Sequence, residues 1–328
     1  MTEGLPISSV NSALPTVLAT EAVLPPSIAR LGAAASFGYH EFFSGMIRNR
    51  HTRVAYVHAV HRFIAWLEAH SIPLELLQPG TVGAYFDEHP GSVPTKKLHL
   101  AALRSFLNVL VQRHVLILNP ALSVRMERYQ SIEGKTPEIS DAHAKALLLS
   151  INLSNPAGLR DRAIIATLIY TAARAGAVAG LKLKHFTSDG VQYSFRFAEK
   201  NGLSRSIPVR HDLQQFVLEY LSTFNWKKQP NDAPLFRSVA GRSGELTLHP
   251  IRNIDICRMV KRRLKDAGLP THLSPHSFRV ASITNLLTHG AELVDVQNLA
   301  GHSDPRTTRL YDRRGKTVTR NLVERISI

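Results

Sequence analysis

The chain has 328 residues, more than one hydrophobic core usually serves, so two domains are expected. With 44% apolar and 20% charged residues it reads as globular rather than disordered, and a single cysteine, Cys257, excludes an internal disulfide. Lys plus Arg number 40 against 25 Asp plus Glu, and the excess is lopsided: residues 1–137 carry 12 basic and 9 acidic side chains, residues 138–328 carry 28 and 16. A field concentrated on one half points to a polyanion held there, most simply nucleic acid.

Residues 1–34 mix Pro, Ser, Thr and small apolar side chains without a helical or strand period, which predicts a flexible tail. The tail lacks a basic segment ahead of its apolar residues, and no apolar run is long enough to span a bilayer. Residues 35–124 read as a helical domain. Tyr56, Val60, Phe63, Ile64 and Leu67 form one stripe, and Leu98, Ala101, Leu103, Phe106 and Leu110 form another, with prolines between the helices. Arg50 and Arg53 before one helix and Lys96 and Lys97 at the start of another are candidate DNA contacts, weighed against solvated helix ends.

Residues 125–137 lose the apolar period and contain Gly134 and Pro137, as a linker does. The second domain, 138–328, opens with Ser140 as an N-cap, followed by an apolar helix over Arg160–Thr171. Val191, Tyr193, Phe195 and Phe197 alternate with polar residues, and a second run passes through Ile207 to Val209. Asn201-Gly202 between them predicts a hairpin with a type I′ turn, which puts Lys200 at its tip. Further helices are expected at His211–Phe224, Pro250–Ala267, His276–His289, Glu292–Ala300 and Pro305–Tyr311. The second of these has an apolar stripe of Ile251, Ile254, Cys257, Val260 and Leu264, and its Lys261 and Arg262 are candidate DNA contacts alongside Arg263 and Lys265.

The chemistry concentrates between Leu273 and Arg314. His276 and Arg279 lie three apart at a helix entrance, so both project from one face, where an imidazole and a guanidinium suit an anion. Twenty-three residues after Arg279, Gly301 permits a tight turn that presents His302, and a short helix beginning near Pro305 leads to Tyr311. Tyr311 has Arg306, Arg309, Arg313 and Arg314 nearby in sequence, which would favour a phenolate. Histidines 276, 289 and 302 have no carboxylate or thiolate at ligand spacing and no phosphate-cradling glycine loop is present, so neither a metal nor a cofactor is expected.

This C-terminal stretch resembles the tyrosine recombinase or phage integrase family, whose signature joins an HxxR pair to a later GH, a TT pair and a nucleophilic tyrosine in this order. Tyr170-Thr171-Ala172-Ala173-Arg174 is similar to the segment carrying the family's first catalytic arginine, and Lys200 corresponds to its hairpin lysine. Two departures are Ala177, where the family usually has an acidic residue, and Ala300, where it has leucine.

The resemblance implies a mainly α protein: a helical, SAM-like core-binding domain and a mixed α+β catalytic domain with a small β-hairpin, clamped on duplex DNA. It implies a site-specific recombinase that cuts and rejoins DNA through a 3′-phosphotyrosyl intermediate, without metal or ATP, in the cytoplasm and on the nucleoid. Tyr311 would be the nucleophile and Arg174, Lys200, His276, Arg279 and His302 its catalytic partners. A homotetramer would hold two DNA sites, and Val318, Leu322, Val323 and Ile326 would cap their own domain or dock on a neighbour. The alternatives are a non-catalytic DNA-binding protein of the same fold and a topoisomerase- or telomere-resolvase-like strand transferase.

Overall fold

A computed structural model describes residues 23–128, 136–198, 204–241 and 243–312, and the chain divides between residues 130 and 131 into two compact units. No helix among the described residues is long and apolar enough to cross a membrane.

The first unit is helical: α1 Pro26–Arg30, α2 Ala33–His40, a π-helical turn Glu41–Met46, α3 Arg50–Ala69, α4 Pro79–Glu88 and α5 Val93–Gln112. The Asn49 side chain starts α3 by accepting from the His51 and Thr52 amides. Val57, Val60, Phe63, Ile64 and Leu67 face the core, while on α5 the buried face is Leu100, Leu103, Phe106, Leu107 and Leu110. Leu98 and Ala101, expected on that stripe, are exposed because they lie off its 3- and 4-residue ladder. Tyr39, Phe42, Phe43 and Phe106 cluster with ring centroids 4.8 to 6.1 Å apart.

The tail expected to be flexible through residue 34 is ordered from α1 onward. Ile28 is fully buried in the core of this unit, and Pro26 preorganises the first turn. A five-residue helix with one inward side chain is too short to show a period.

The second unit contains α6 Asp141–Ser150, α7 Pro156–Thr171, α8 Ala175–Ala179, β1 Phe186–Ser188, β2 Tyr193–Ala198, β3 Ser204–Pro208, α9 His211–Leu221, β4 Arg237–Val239, β5 Leu246–Pro250, α10 Asn253–Asp266, α11 Pro275–Thr288, α12 Leu293–Ala300 and α13 Pro305–Arg309. Ser140 caps α6 through the His143 amide. Helix α7, apolar on most of its surface, packs against both α9 and α11 and forms the centre of the unit. Strands β1, β2 and β3 make one antiparallel sheet and β4 and β5 another. The short β1, β4 and β5 have no alternation long enough to read from sequence.

Three expectations shift. Val191 is almost fully exposed and β2 begins at Tyr193. Ala198 pairs with Ser204, whereas a two-residue Asn201-Gly202 turn would have set Ala198 opposite Arg205; the tip itself lies outside the described residues. The helix expected from Pro250 starts at Asn253 and buries Ile256, Met259, Val260 and Leu264, leaving Ile254 exposed and Cys257 half-buried. Ile251 precedes the helix, so the stripe built on it is rotated off the true inner face.

Gly158, in the first turn of α7, donates its amide to the Asn155 cap. A Cβ there would lie 1.8 Å from the Asn152 carbonyl oxygen, an overlap only backbone movement can relieve. Gly158→Ala is expected to lower stability by about 2 kcal/mol, the middle of the overpacking range, in denaturant melts. An unchanged midpoint would show that the 152–158 loop yields freely.

Candidate active site

Helix α7 ends at Ala172, whose backbone is left-handed with φ 49°. This turn releases the chain so that Arg174 becomes the N-cap of α8, with its side chain exposed. The Ala172 carbonyl in turn accepts from Nη1 of Arg279 on α11. Arg279 is only 1% exposed and is among the largest fully buried side chains of the described residues. The two arginine-bearing segments are therefore joined directly, 107 positions apart in sequence.

Helix α11 begins at Pro275 after a Ser274 capping box, in which the Ser274 amide donates to Ser277 Oγ at 3.1 Å. His276 sits in this first turn, exposed. Loss of hydration, then the Arg279 and Arg174 cations, hold its imidazole below the usual histidine range.

Helix α12 stops at Gly301, left-handed with φ 62°, and the reversal delivers His302 into the protein at 8% exposure. Its Nδ1 is 2.9 Å from Thr308 Oγ1, and its carbonyl accepts from Gln297 Nε2 at 3.0 Å. Burial lowers the His302 pKa to about 4, with Arg279, Arg174, His276 and Arg205 contributing in that order. Both imidazoles are thus neutral at pH 7. The positive charge expected from this segment comes from the guanidiniums.

Asp304 caps α13 through the Arg306 amide at 2.9 Å, and Tyr311 follows the helix. The Tyr311 ring is 9% exposed and nearly parallel to His302, with centroids 6.0 Å apart. It belongs to a buried apolar cluster with Ala172, Val280, Ile283, Leu287, Val296 and Ala300. Of the four arginines near this phenol in sequence, the two described ones are turned to solvent. Arg306 and Arg309 are exposed, with Arg306 3.8 Å from Asp304, and Arg313 and Arg314 lie outside the described residues. On so short a helix the phenol turns inward and the cations outward.

Arg174, His276, Arg279, His302 and Tyr311 therefore share one neighbourhood. Lys200 falls outside the described residues, between β2 and β3. Ala177, at the position where an acidic residue was expected, packs against the core of the unit. Sequence reasoning missed Thr308 as the partner of His302 and Arg205 as a neighbouring cation. Inward alternation with Ile207 was the signal for Arg205.

Arg53, Lys96 and Arg262, three of the candidate DNA contacts, donate to identified acceptors within the chain. Arg53 donates to the Ile47 carbonyl at 3.1 and 2.8 Å, Lys96 to the Phe86 carbonyl at 2.7 Å, and Arg262 to Asp161 at 3.1 Å. Arg50 and Lys261 are exposed and Lys97 is half-buried.

The low histidine pKa values predict a pH dependence. His99 in the first unit, 4% exposed and 3.0 Å from His89 Nε2, is lowered to about 4 by burial, then by His89, His58 and Arg62. Unfolded histidines take up a proton near 6.5, whereas folded His99 and His302 do so only near 4. The unfolded chain binds more protons in that window, so stability present above pH 6.5 is lost as pH falls towards 4, on the order of 3 kcal/mol per histidine. Melting temperature should drop between pH 7 and pH 5, and a flat profile would contradict these assignments.

Residues 139–317 match the model of the phage integrase family. The chain belongs to that family. Among its relatives, tyrosine recombinase XerC of Actinobacillus succinogenes is 33% identical over 215 residues, covering 65% of this chain and 68% of the relative. Tyrosine recombinase XerD of Pseudomonas aeruginosa is 28% identical over 269 residues, covering 79% and 85%.

Solved structures of this integrase fold are similar as well. The XerH site-specific recombinase in a post-cleavage complex with palindromic difH substrate superimposes with TM-score 0.64 at 18% identity, over 79% of this chain and 75% of that one. A lambda integrase dimer bound to a COC′ core site gives 0.66 at 15% identity, over 92% and 85%. A lambda integrase tetramer bound to a Holliday junction gives 0.63 at 15%, over 86% and 77%. At these identities the likeness is one of fold: mainly helical, with small antiparallel sheets.

Proposed function

We propose that this protein is a site-specific DNA recombinase that cuts and rejoins duplex DNA with Tyr311 as nucleophile. The observation that carries the reading is the joining of Arg174, His276, Arg279, His302 and Tyr311 from separate elements around one point, in a family whose sequence relatives are tyrosine recombinases.

The chemistry follows from the residues. Tyr311 Oη attacks the scissile phosphorus, its proton passing to a neutral imidazole, for which His302 and His276 are placed. The P–O5′ bond breaks, leaving a 3′-phosphotyrosyl bond and a 5′-oxygen that takes a proton from Lys200. Arg174 and Arg279 neutralise the charge that builds on the non-bridging oxygens. Because both histidines are uncharged, they contribute hydrogen bonds and proton transfer rather than field. The phosphotyrosyl bond keeps the energy of the phosphodiester, so the 5′-hydroxyl of another strand reverses the reaction without ATP.

The helical first unit and the basic second unit hold duplex DNA, with the exposed Arg50 and Lys261 and the half-buried Lys97 among the candidate contacts, and binding falls steeply with salt. Strand exchange requires two sites and hence a homotetramer on DNA, as in the lambda integrase complex with a Holliday junction. The protein works in the cytoplasm, at the nucleoid.

The test begins with a duplex site enriched from a randomised library by binding. A 5′-labelled version of that site, nicked at successive positions, is then incubated with the protein and resolved on a denaturing gel. A covalent protein–DNA adduct is the expected result. Its absence at every nick position on a verified site would overturn the catalytic reading.

A further inference from the structure

His302 is held at three points. Its amide donates to the Gln297 carbonyl at 3.2 Å and its own carbonyl accepts from Gln297 Nε2 at 3.0 Å, so one residue of α12 pins the backbone on both sides of the imidazole. The third point is the ring itself, where Nδ1 lies 2.9 Å from Thr308 Oγ1. Thr308 belongs to α13 and is fully buried, and its carbonyl accepts the Tyr311 amide at 3.0 Å. One residue therefore meets the imidazole through its side chain and the backbone of the tyrosine through its main chain.

A neutral imidazole has one nitrogen that donates and one that accepts, and the partner of the first decides which is which. With Nδ1 engaged by Thr308, Nε2 is the nitrogen left for chemistry. Nε2 can take a proton only if Nδ1 carries the hydrogen, and once it has done so both nitrogens are donors. A hydroxyl meets both conditions, because its lone pairs accept from Nδ1–H before and after the transfer. Burial, then Arg279 of α11, Arg174 ahead of α8, His276 of α11 and Arg205 of β3, all disfavour a positive ring at His302. Arg205 is tied to this turn, since its Nη1 donates to the Asn298 carbonyl at 3.4 Å. The Thr308 dipole works in the opposite sense, inside a pair from which water is largely excluded.

We infer that Thr308 is a positioning residue that accepts from His302 Nδ1–H and so reserves Nε2 as the base for the Tyr311 phenol. The inference rests on the recombinase reading above. His302 is favoured over His276 because it is buried beside the Tyr311 ring, nearly parallel to it with centroids 6.0 Å apart, whereas His276 is exposed. The Oη–H proton moves to Nε2 as the Oη–P bond forms and the P–O5′ bond breaks, the 5′-oxygen leaving as a hydroxyl with the proton of the general acid. Religation returns the proton from Nε2 to Oη. Thr308 acts through the imidazole and makes no bond to the reacting atoms.

The test follows single-turnover cleavage of the nicked substrate carrying the enriched site, from about pH 7 to about pH 9.5. Phenols ionise increasingly over that range, and a phenolate needs no base, so a defect in the base shrinks as pH rises whereas a defect in folding or DNA binding does not. Thr308→Val, which keeps the shape and removes the acceptor, is expected to lose roughly 10- to 100-fold near pH 7 and less than about threefold near pH 9.5. Thr308→Ala, which removes hydroxyl and methyl together, should show the same convergence and so separates the lost acceptor from a packing fault peculiar to valine. Thr308→Ser retains the hydroxyl and should restore most of the rate. Thr308→Val combined with His302→Ala should be no slower than His302→Ala alone, because the threonine acts only through that ring.

A deficit that is absent near pH 7 or equal at every pH, a serine variant as slow as the valine one, or a double variant slower than His302→Ala would overturn the inference, since each marks Thr308 as a packing residue rather than the partner of a working base. A wild-type protein that forms no adduct on a verified site would instead sink the recombinase reading itself.

Discussion

Tyr311→Phe yields a folded protein that binds DNA and forms no covalent adduct. The ring is 9% exposed and belongs to a buried apolar cluster with side chains of α11, α12 and the Ala172 turn, a cluster a phenylalanine can still join. The parallel stack on His302 survives as well, because it needs only the ring. Melting temperature should therefore stay within a few degrees of wild type, and DNA affinity, which basic side chains supply, should be unchanged. Cleavage by the proposed mechanism, by contrast, loses the atom that bonds to phosphorus. The rate should fall by at least about 10⁴-fold, the scale on which removal of a nucleophile acts. An adduct that persists in Tyr311→Phe would mean that another side chain attacks.

The largest expected loss of stability comes from a different place, Asp161 near the start of α7. Its carboxylate is fully buried, with Arg160 donating from Nε at 3.1 Å, Arg263 from Nε at 2.9 Å and Arg262 from Nη2 at 3.1 Å. Arg160 is itself 4% exposed and also donates to the Arg237 carbonyl at 2.9 Å, so α7, α10 and β4 meet on one anion. Removing that anion strands a buried guanidinium. Asp161→Ala is expected to cost about 3 to 5 kcal/mol, the usual penalty for breaking a buried pair on one side. Asp161→Asn, which keeps the shape and some of the acceptors, should cost less. Denaturant titration of both variants checks this, and a loss below about 1 kcal/mol for alanine would show that water or rearrangement satisfies Arg160.

The Asp161 network also explains why the basic run on α10 is ambiguous in sequence. Lys261, Arg262 and Arg263 look alike as letters, yet Arg263 is largely buried and bonded to Asp161, Arg262 reaches the same carboxylate from a half-exposed position, and Lys261 is exposed. Their partner lies about a hundred residues upstream, where no local pattern connects them. The same reasoning applies to Arg53 and Lys96, whose charges cap backbone carbonyls of the helical unit.

What the sequence by itself determined is the local geometry. Ser140 caps its helix where it was expected to, Gly301 takes the left-handed turn that only a glycine adopts cheaply, and His276 and Arg279 share one face of α11 because a helix turns every 3.6 residues. These outcomes depend on side chains within a few positions of each other. What only the tertiary structure decided is the electrostatic state of the site: that both imidazoles are held below the usual histidine range, that Tyr311 joins a buried apolar cluster, and that Arg205 reaches the turn of His302. Desolvation and charge act through space between groups brought together from α7, β3, α11 and α12. A linear order of residues carries no measure of that distance until the chain has folded.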